Sequence, residues 1–212
     1  MKDILTAPWI VEMIRTATNM YAHGWDERNG GNISLLLDEA DVAEYLDLNN
    51  VLRTIPTGFE APELEGKYFL VTGTGKYFKN VQYAPEVNLG LVRLTDKGMK
   101  AELLWGYEDG GKFPSEVPAH MMSHVARLRV DPQNRVVMHC HPANLLAMTY
   151  VHDLDERVRN GYVVCVGLNP DVLGCEKIVQ LVERRRWIVC DGVHPDVSER
   201  FARGDLDLLQ CG

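Results

Sequence analysis

The step His139-Cys140-His141 closes an apolar run, Val136-Val137-Met138, and is the sharpest chemical signal in the chain. Alternate residues on a strand face the same side. The two imidazoles therefore point one way and Cys140 the other. Two histidines so placed form half of a zinc site, and a third ligand must come from elsewhere. The plain alternative is a pair of ordinary strand-end histidines. His194, His120, His124 and His152 are the candidates for the third position. His194 follows a strand expected at 187–190, so it either projects from a neighbouring strand end or lies in a surface loop. His120 and His124 are four apart on an expected helix. They form a ligand pair or, more commonly, one faces the core and the other solvent.

Glu116 stands at the start of that helix, after Pro114-Ser115. A carboxylate there often does no more than complement the helix dipole. Beside a metal it would act as a general base on a carbon acid whose conjugate base the cation stabilises. Two glycine turns add to the pattern. Asn29-Gly30-Gly31-Asn32 can expose successive backbone N–H groups, a nest suited to anions. Thr72-Gly73-Thr74-Gly75-Lys76 supplies a second such turn with two hydroxyls and a lysine. Neither has the spacing of a P-loop or a dinucleotide fingerprint, and each alone reads as a turn. Together with the Ser-Glu helix start and the paired histidines, they suggest a phosphate pocket beside a metal.

The elements that must position these groups follow from periodicity. Ile10, Met13, Ile14, Ala17 and Tyr21 recur at helical spacing, which predicts a helix over 4–22 ended by Gly24. A turn and the strand Ile33–Leu37 come next. Residues 38–66 are acidic and irregular around a strand centred on 52–55. Lys67–Phe78 reads as a strand, a glycine turn and a short continuation. The segments 90–93 and 102–105 form a strand pair around Asp96-Lys97-Gly98. The helix over 115–129 has Ser115 as its cap and Pro118 in its first turn, where a missing N–H costs little. A strand at 135–140, a helix at 142–151, a strand at 162–166, a helix at 171–185 and a strand at 187–190 complete the pattern. The expected fold is α/β, a mostly antiparallel central sheet flanked by helices.

Composition fits one domain spanning the 212 residues. A net charge of -8 argues against a nucleic-acid surface, which is usually basic. No apolar run approaches the roughly 20 residues that span a bilayer, so no membrane partner is expected. Asp3, Glu12 and Arg15 interrupt the N-terminal apolar positions, unlike a signal peptide. Five cysteines, an odd number without a C-x-x-C pair, point to a reducing, cytoplasmic setting.

The stretches GWDERNGGNISLLLDEADVA, FLVTGTGKYFKNVQ, NLGLVRL, PSEVPAHMMSH and RVVMHCHPANLLAMTYV, in this order over residues 24–151, resemble the class II, zinc-dependent sugar-phosphate aldolases of the aldolase/adducin superfamily. The strings GWDERNGGN and HCHPANLLAMTY point to its rhamnulose branch rather than the fuculose or ribulose branches. The resemblance implies Zn2+ held by His139, His141 and His194, with Glu116 as catalytic acid/base. It matches Asn29, Gly31, Asn32, Thr74, Gly75 and Ser115 to phosphate-binding positions. It further implies a cyclic homotetramer, a phosphorylated sugar substrate, and retro-aldol cleavage of L-rhamnulose 1-phosphate to dihydroxyacetone phosphate and L-lactaldehyde. Thr74 keeps the hydroxyl of the family's usual serine, whereas Pro114 replaces a common hydroxyl residue. Residues 160–212 depart further: a segment carrying an interface glutamate is missing or replaced, and Pro195 stands where a glycine usually follows the third histidine. Two other readings compete. One is an epimerase or dehydratase of the same superfamily. The other is a non-catalytic, adducin-like assembly module, for which His139, His141 and Glu116 would be unnecessary.

Overall fold

The computed structural model describes residues 1–26 and 28–142, and the backbone of 157–159, 162–168 and 177–183. A 3-10 turn at Ile4–Thr6 leads into helix α1 (Pro8–Ala22), whose buried face is Trp9, Ile10, Met13, Ala17 and Met20. These positions recur at the helical period, as an amphipathic helix on a sheet requires. Gly24 follows at φ +69°, where the chain turns away from the helix end.

Strand β1 (Asn32–Leu37) and the single-turn helix α2 (Glu39–Ala43) come next. Then follow β2 (Arg53–Pro56), β3 (Tyr68–Thr72), the short helices α3 (Phe78–Val81) and α4 (Pro85–Asn88), and the hairpin β4 (Leu89–Thr95) and β5 (Lys100–Gly106). Helix α5 (Val117–Val130) and strand β6 (Val136–His139) complete the main body. The six strands form one sheet in the order β2-β5-β4-β3-β1-β6, with every neighbouring pair antiparallel. The expected α/β fold with an antiparallel central sheet and flanking helices is therefore present.

Alternation along β1 divides the core. Ile33 and Leu37 join the cluster under α1 with Ile10, Met13, Leu70 and Leu91. Leu36 joins the cluster under α5 with Phe69, Val71, Val117 and Met121. Asn32 and Ser34 share the α5 side with Leu36, and both are buried. In the register, Asn32 lies opposite His139 and Ser34 opposite Val71. Because β3 and β6 both run against β1, the start of β1 meets the ends of β3 and β6. The two glycine turns and the histidine pair are thus gathered at one end of the sheet.

Three elements differ from expectation. Helix α5 begins at Val117, with Glu116 at the cap position and no side-chain capping bond. For a cap at Ser115, the favoured N–H donor three residues on belongs to Pro118, which has none. Residues after the second glycine turn form α3 rather than an extended continuation, since Phe78 and Val81, three apart, both pack into the α1 cluster. The helix expected over 171–185 is instead strand β9 (Lys177–Glu183) at its centre. It pairs antiparallel with β8 (Tyr162–Leu168), which pairs with β7 (Arg157–Arg159). The β-branched residues Ile178, Val179 and Val182 favour an extended backbone when a strand as β-rich as Val163-Val164-Cys165-Val166 pairs with it. The helix expected at 142–151 and the strand at 187–190 lie outside the described residues.

Candidate active site

At the end of β6 the backbone is held tightly. The His141 N–H donates to the Trp25 carbonyl at 2.6 Å, joining the histidine pair to the chain that precedes the first glycine turn. Gly31 has φ +90°, and a Cβ there would lie 2.8 Å from the His139 carbonyl oxygen. Both the backbone conformation and the lack of space require glycine. Cys140 packs in the α1 cluster, on the face opposite the two imidazoles. His139 Nε2 and His141 Nε2 converge to 3.0 Å.

That convergence is a test of the implied cation. Tetrahedral zinc with Zn–N bonds of about 2.0–2.1 Å sets two ligand nitrogens about 3.3 Å apart, so the pair fits with a small adjustment. Burial pushes the His139 imidazole down to about 4, with His141 adding to the effect and the Glu116 carboxylate opposing it. His139 is thus neutral near pH 7. Glu116 is coupled electrostatically to His139. Among the described residues no cluster of three or more His, Cys, Asp or Glu could hold a metal. His194 and His152 lie outside the described residues.

His120 and His124 do not complete the site. His120 Nδ1 and His124 Nε2 each lie 2.8 Å from Ser34 Oγ, and all three residues are buried. The expectation that one of the two histidines would face solvent is therefore corrected: facing both toward β1 provides each with a polar partner inside the core. Burial holds both imidazoles well below the usual histidine range, His124 at about 3. No local sequence signal pairs Ser34 with residues 86 and 90 positions away. Only the alternation of β1 and the four-residue spacing on α5 could have suggested it.

The expected phosphate positions divide into two groups. The Thr74 N–H donates to the Lys112 carbonyl at 2.8 Å, which lays the second glycine turn along the segment leading to Ser115 and Glu116. Thr72 Oγ1 accepts the Ile33 N–H at 3.0 Å and ties the end of β3 to β1. Asn29, Gly75 and Ser115 are exposed and Thr74 is half-buried, so these four are accessible to an anion. Asn32 is not: it is 3% exposed and its amide is directed at His139, with Nδ2 3.2 Å from Nδ1. The Lys76 ammonium pairs with the Asp109 carboxylate. A cleft beside the turn is lined by Gly75, Lys76, Tyr77, Asn80 and Tyr83.

Comparison with known proteins decides what this arrangement belongs to. Residues 11–179 match the model of the class II aldolase and adducin N-terminal domain. The chain belongs to this family. A rhamnulose-1-phosphate aldolase of Listeria monocytogenes serovar 1/2a is 62% identical over 156 residues, which are 74% of this chain and 57% of the relative. A second, from Escherichia coli O1:K1 / APEC, is 42% identical over 178 residues, 80% of this chain and 65% of the relative. Among solved structures, a sugar-phosphate aldolase from Thermotoga maritima superposes with a TM-score of 0.55 at 30% identity, covering 66% of this chain and 55% of that one. The class II chain thus spans about 57% of the length of the Listeria relative.

Proposed function

We propose that this class II chain is a single domain that cleaves L-rhamnulose 1-phosphate to dihydroxyacetone phosphate and L-lactaldehyde. The observation that carries the reading is the convergence of His139 and His141, with Glu116 coupled electrostatically to His139, at the sheet end that also holds both glycine turns. The 62% identity to a rhamnulose-1-phosphate aldolase supports the choice of sugar.

His139 and His141 would hold Zn2+, with His194 assigned as third ligand on the family resemblance. The bound cation supplies Lewis-acid polarisation of the substrate carbonyl. Asn29, Gly31, Thr74, Gly75 and Ser115 bind the phosphate, so that binding energy remote from the reacting bond orients it. In cleavage the proton of the hydroxyl beside the breaking C–C bond leaves to a base, and the electron pair of that bond stays on the freed carbon. Glu116 in its protonated form delivers a proton there; in the synthetic direction its carboxylate removes that proton. The homotetramer and the cytoplasmic setting belong to the same reading and rest on the family resemblance and on cysteine usage.

The test is turnover of L-rhamnulose 1-phosphate by the zinc-loaded chain, followed by release of dihydroxyacetone phosphate. Chelation should abolish it and added zinc should restore it. Turnover that persists after complete metal removal overturns the reading. Cleavage of a different sugar phosphate in preference to this one reassigns the substrate.

A further inference from the structure

With the Asn32 amide nitrogen turned toward His139, the hydrogen bonds around the ring admit one placement of protons. The Asn32 amide presents Nδ2 to His139 Nδ1 at 3.2 Å, and an amide nitrogen can only donate. Nδ1 is therefore the acceptor, and the ring proton of neutral His139 sits on Nε2. From there it donates to His141 Nε2 at 3.0 Å. In this arrangement the nitrogen that faces the cation position carries a proton. It has no lone pair for a metal. Asn32 Oδ1 is meanwhile buried with no partner among the described residues, a condition that buried carbonyls seldom tolerate.

A single movement takes the proton off Nε2, while the buried, partnerless end of the amide passes from Oδ1 to Nδ2. The two ends of a carboxamide have nearly the same size, so a half-turn of the Asn32 side chain exchanges oxygen and nitrogen without displacing neighbours. Oδ1 then accepts from His139 Nδ1–H, and Nε2 is left with a free lone pair beside that of His141. The ring keeps one proton throughout; only the nitrogen that carries it changes. Metal-bound histidines characteristically donate their other N–H to such an acceptor, which fixes the tautomer and the ring orientation.

We propose that Asn32 is a positioning residue whose buried amide selects the His139 tautomer, in one orientation closing the His139-His141 pair on itself and in the other opening it to a divalent cation. The role goes beyond the phosphate contact expected of this residue. It rests on the proposed metal site but not on the aldol reaction. Register supports it, because Asn32 and His139 are direct partners across β1 and β6.

The experiment uses the full chain and zinc alone. Zinc affinity is measured by competition with a chromophoric chelator, and the His139 ring nitrogens are followed by NMR on histidine-labelled protein, assigned through His139→Gln. The wild type should carry its His139 proton on Nε2 without zinc and on Nδ1 with zinc. Asn32→Leu, similar in volume but unable to accept, should lose affinity about 10–100-fold. Asn32→Asp, which can only accept at that position, should hold the Nδ1 proton even without zinc and bind zinc at least as tightly as wild type. It also covers the case in which the leucine variant does not fold. Wild-type zinc affinity in Asn32→Leu, or a His139 proton unmoved on zinc binding, overturns the proposal. A wild type that takes up no zinc removes both this inference and the aldolase reading. A wild type that binds zinc with the expected tautomer change but cleaves no sugar phosphate removes the aldolase reading alone.

Discussion

Glu116 lies at the cap of α5 with no capping bond from its side chain. Its backbone carbonyl accepts the His120 N–H at 3.0 Å, which fixes the main chain at the start of the helix. Glu116→Gln retains the shape and removes the base. Zinc binding should survive, while proton exchange at the reacting carbon of dihydroxyacetone phosphate falls by about 10²–10⁴-fold, the usual contribution of a positioned acid or base. Solvent-deuterium incorporation followed by NMR measures this directly, and an unchanged rate removes Glu116 from that role. At this scale much of the site was legible. The His-x-His spacing on a strand fixed the direction of two rings and of Cys140. What it left out were partners distant in sequence: Asn32 on His139, 107 positions away, and Ser34 on His120 and His124. Such contacts are created by strand register and helix placement, which no local pattern encodes.

At the scale of elements, Ser34 joins α5 to β1. A hydroxyl has one proton, so it donates to one imidazole and accepts from the other, and both bonds form inside the core. Ser34→Ala would leave two buried ring nitrogens without partners. The expected loss is about 1–3 kcal/mol for each such group, with partial relief from relaxation. Denaturant titration should show a lowered midpoint, and Ser34→Thr should recover most of it because the hydroxyl remains. Equal destabilisation by both variants would mean that volume rather than hydrogen bonding governs the position. The turn before β1 is equally constrained. Gly31→Ala combines a φ of +90° with a Cβ 2.8 Å from the His139 carbonyl, so the β1 turn or β6 must shift. Weakened zinc uptake together with lower thermal stability is the expected result, whereas wild-type behaviour in both assays would show that the turn has room to give. The elements misjudged from sequence share one cause. At Lys177–Glu183 and at Phe78–Val81 the apolar spacing fits either a strand or a helix over so few residues, and packing partners decide between them.

At the scale of the whole molecule, the two covered faces of the sheet follow from alternation along β1 and from the periodicity of α1, which is why the fold class was readable before any coordinates, whereas the strand order was not. Nor was the cost of the buried imidazoles. Burial holds His124 at about 3 in the folded chain, against an ordinary value of 6.5, and lowers His120 as well. Protonation therefore favours the unfolded chain: stability is fully present above pH 6.5 and is lost as the pH falls from there toward about 3. Ordinary carboxylates begin to titrate only near the lower end of that range, and Asp26, raised by burial, is common to the variants compared, so a difference between variants over about pH 6.5 to 5 reports on histidines. Around His124 the facing groups are the Ser34 hydroxyl, the neutral His120 ring and the Phe69 ring at 5.0 Å, none of which offers an anion to stabilise an imidazolium. His139, lowered by burial as well, adds to the decline, so the comparison must be made between variants under one metal-free condition. His124→Gln keeps an amide within reach of Ser34 and removes one titrating ring. Denaturation free energy plotted against pH should fall less steeply for this variant over that interval, by up to one proton in the slope. An identical slope would show that His124 is already relieved of burial when it takes up its proton, through local opening of α5 ahead of global unfolding.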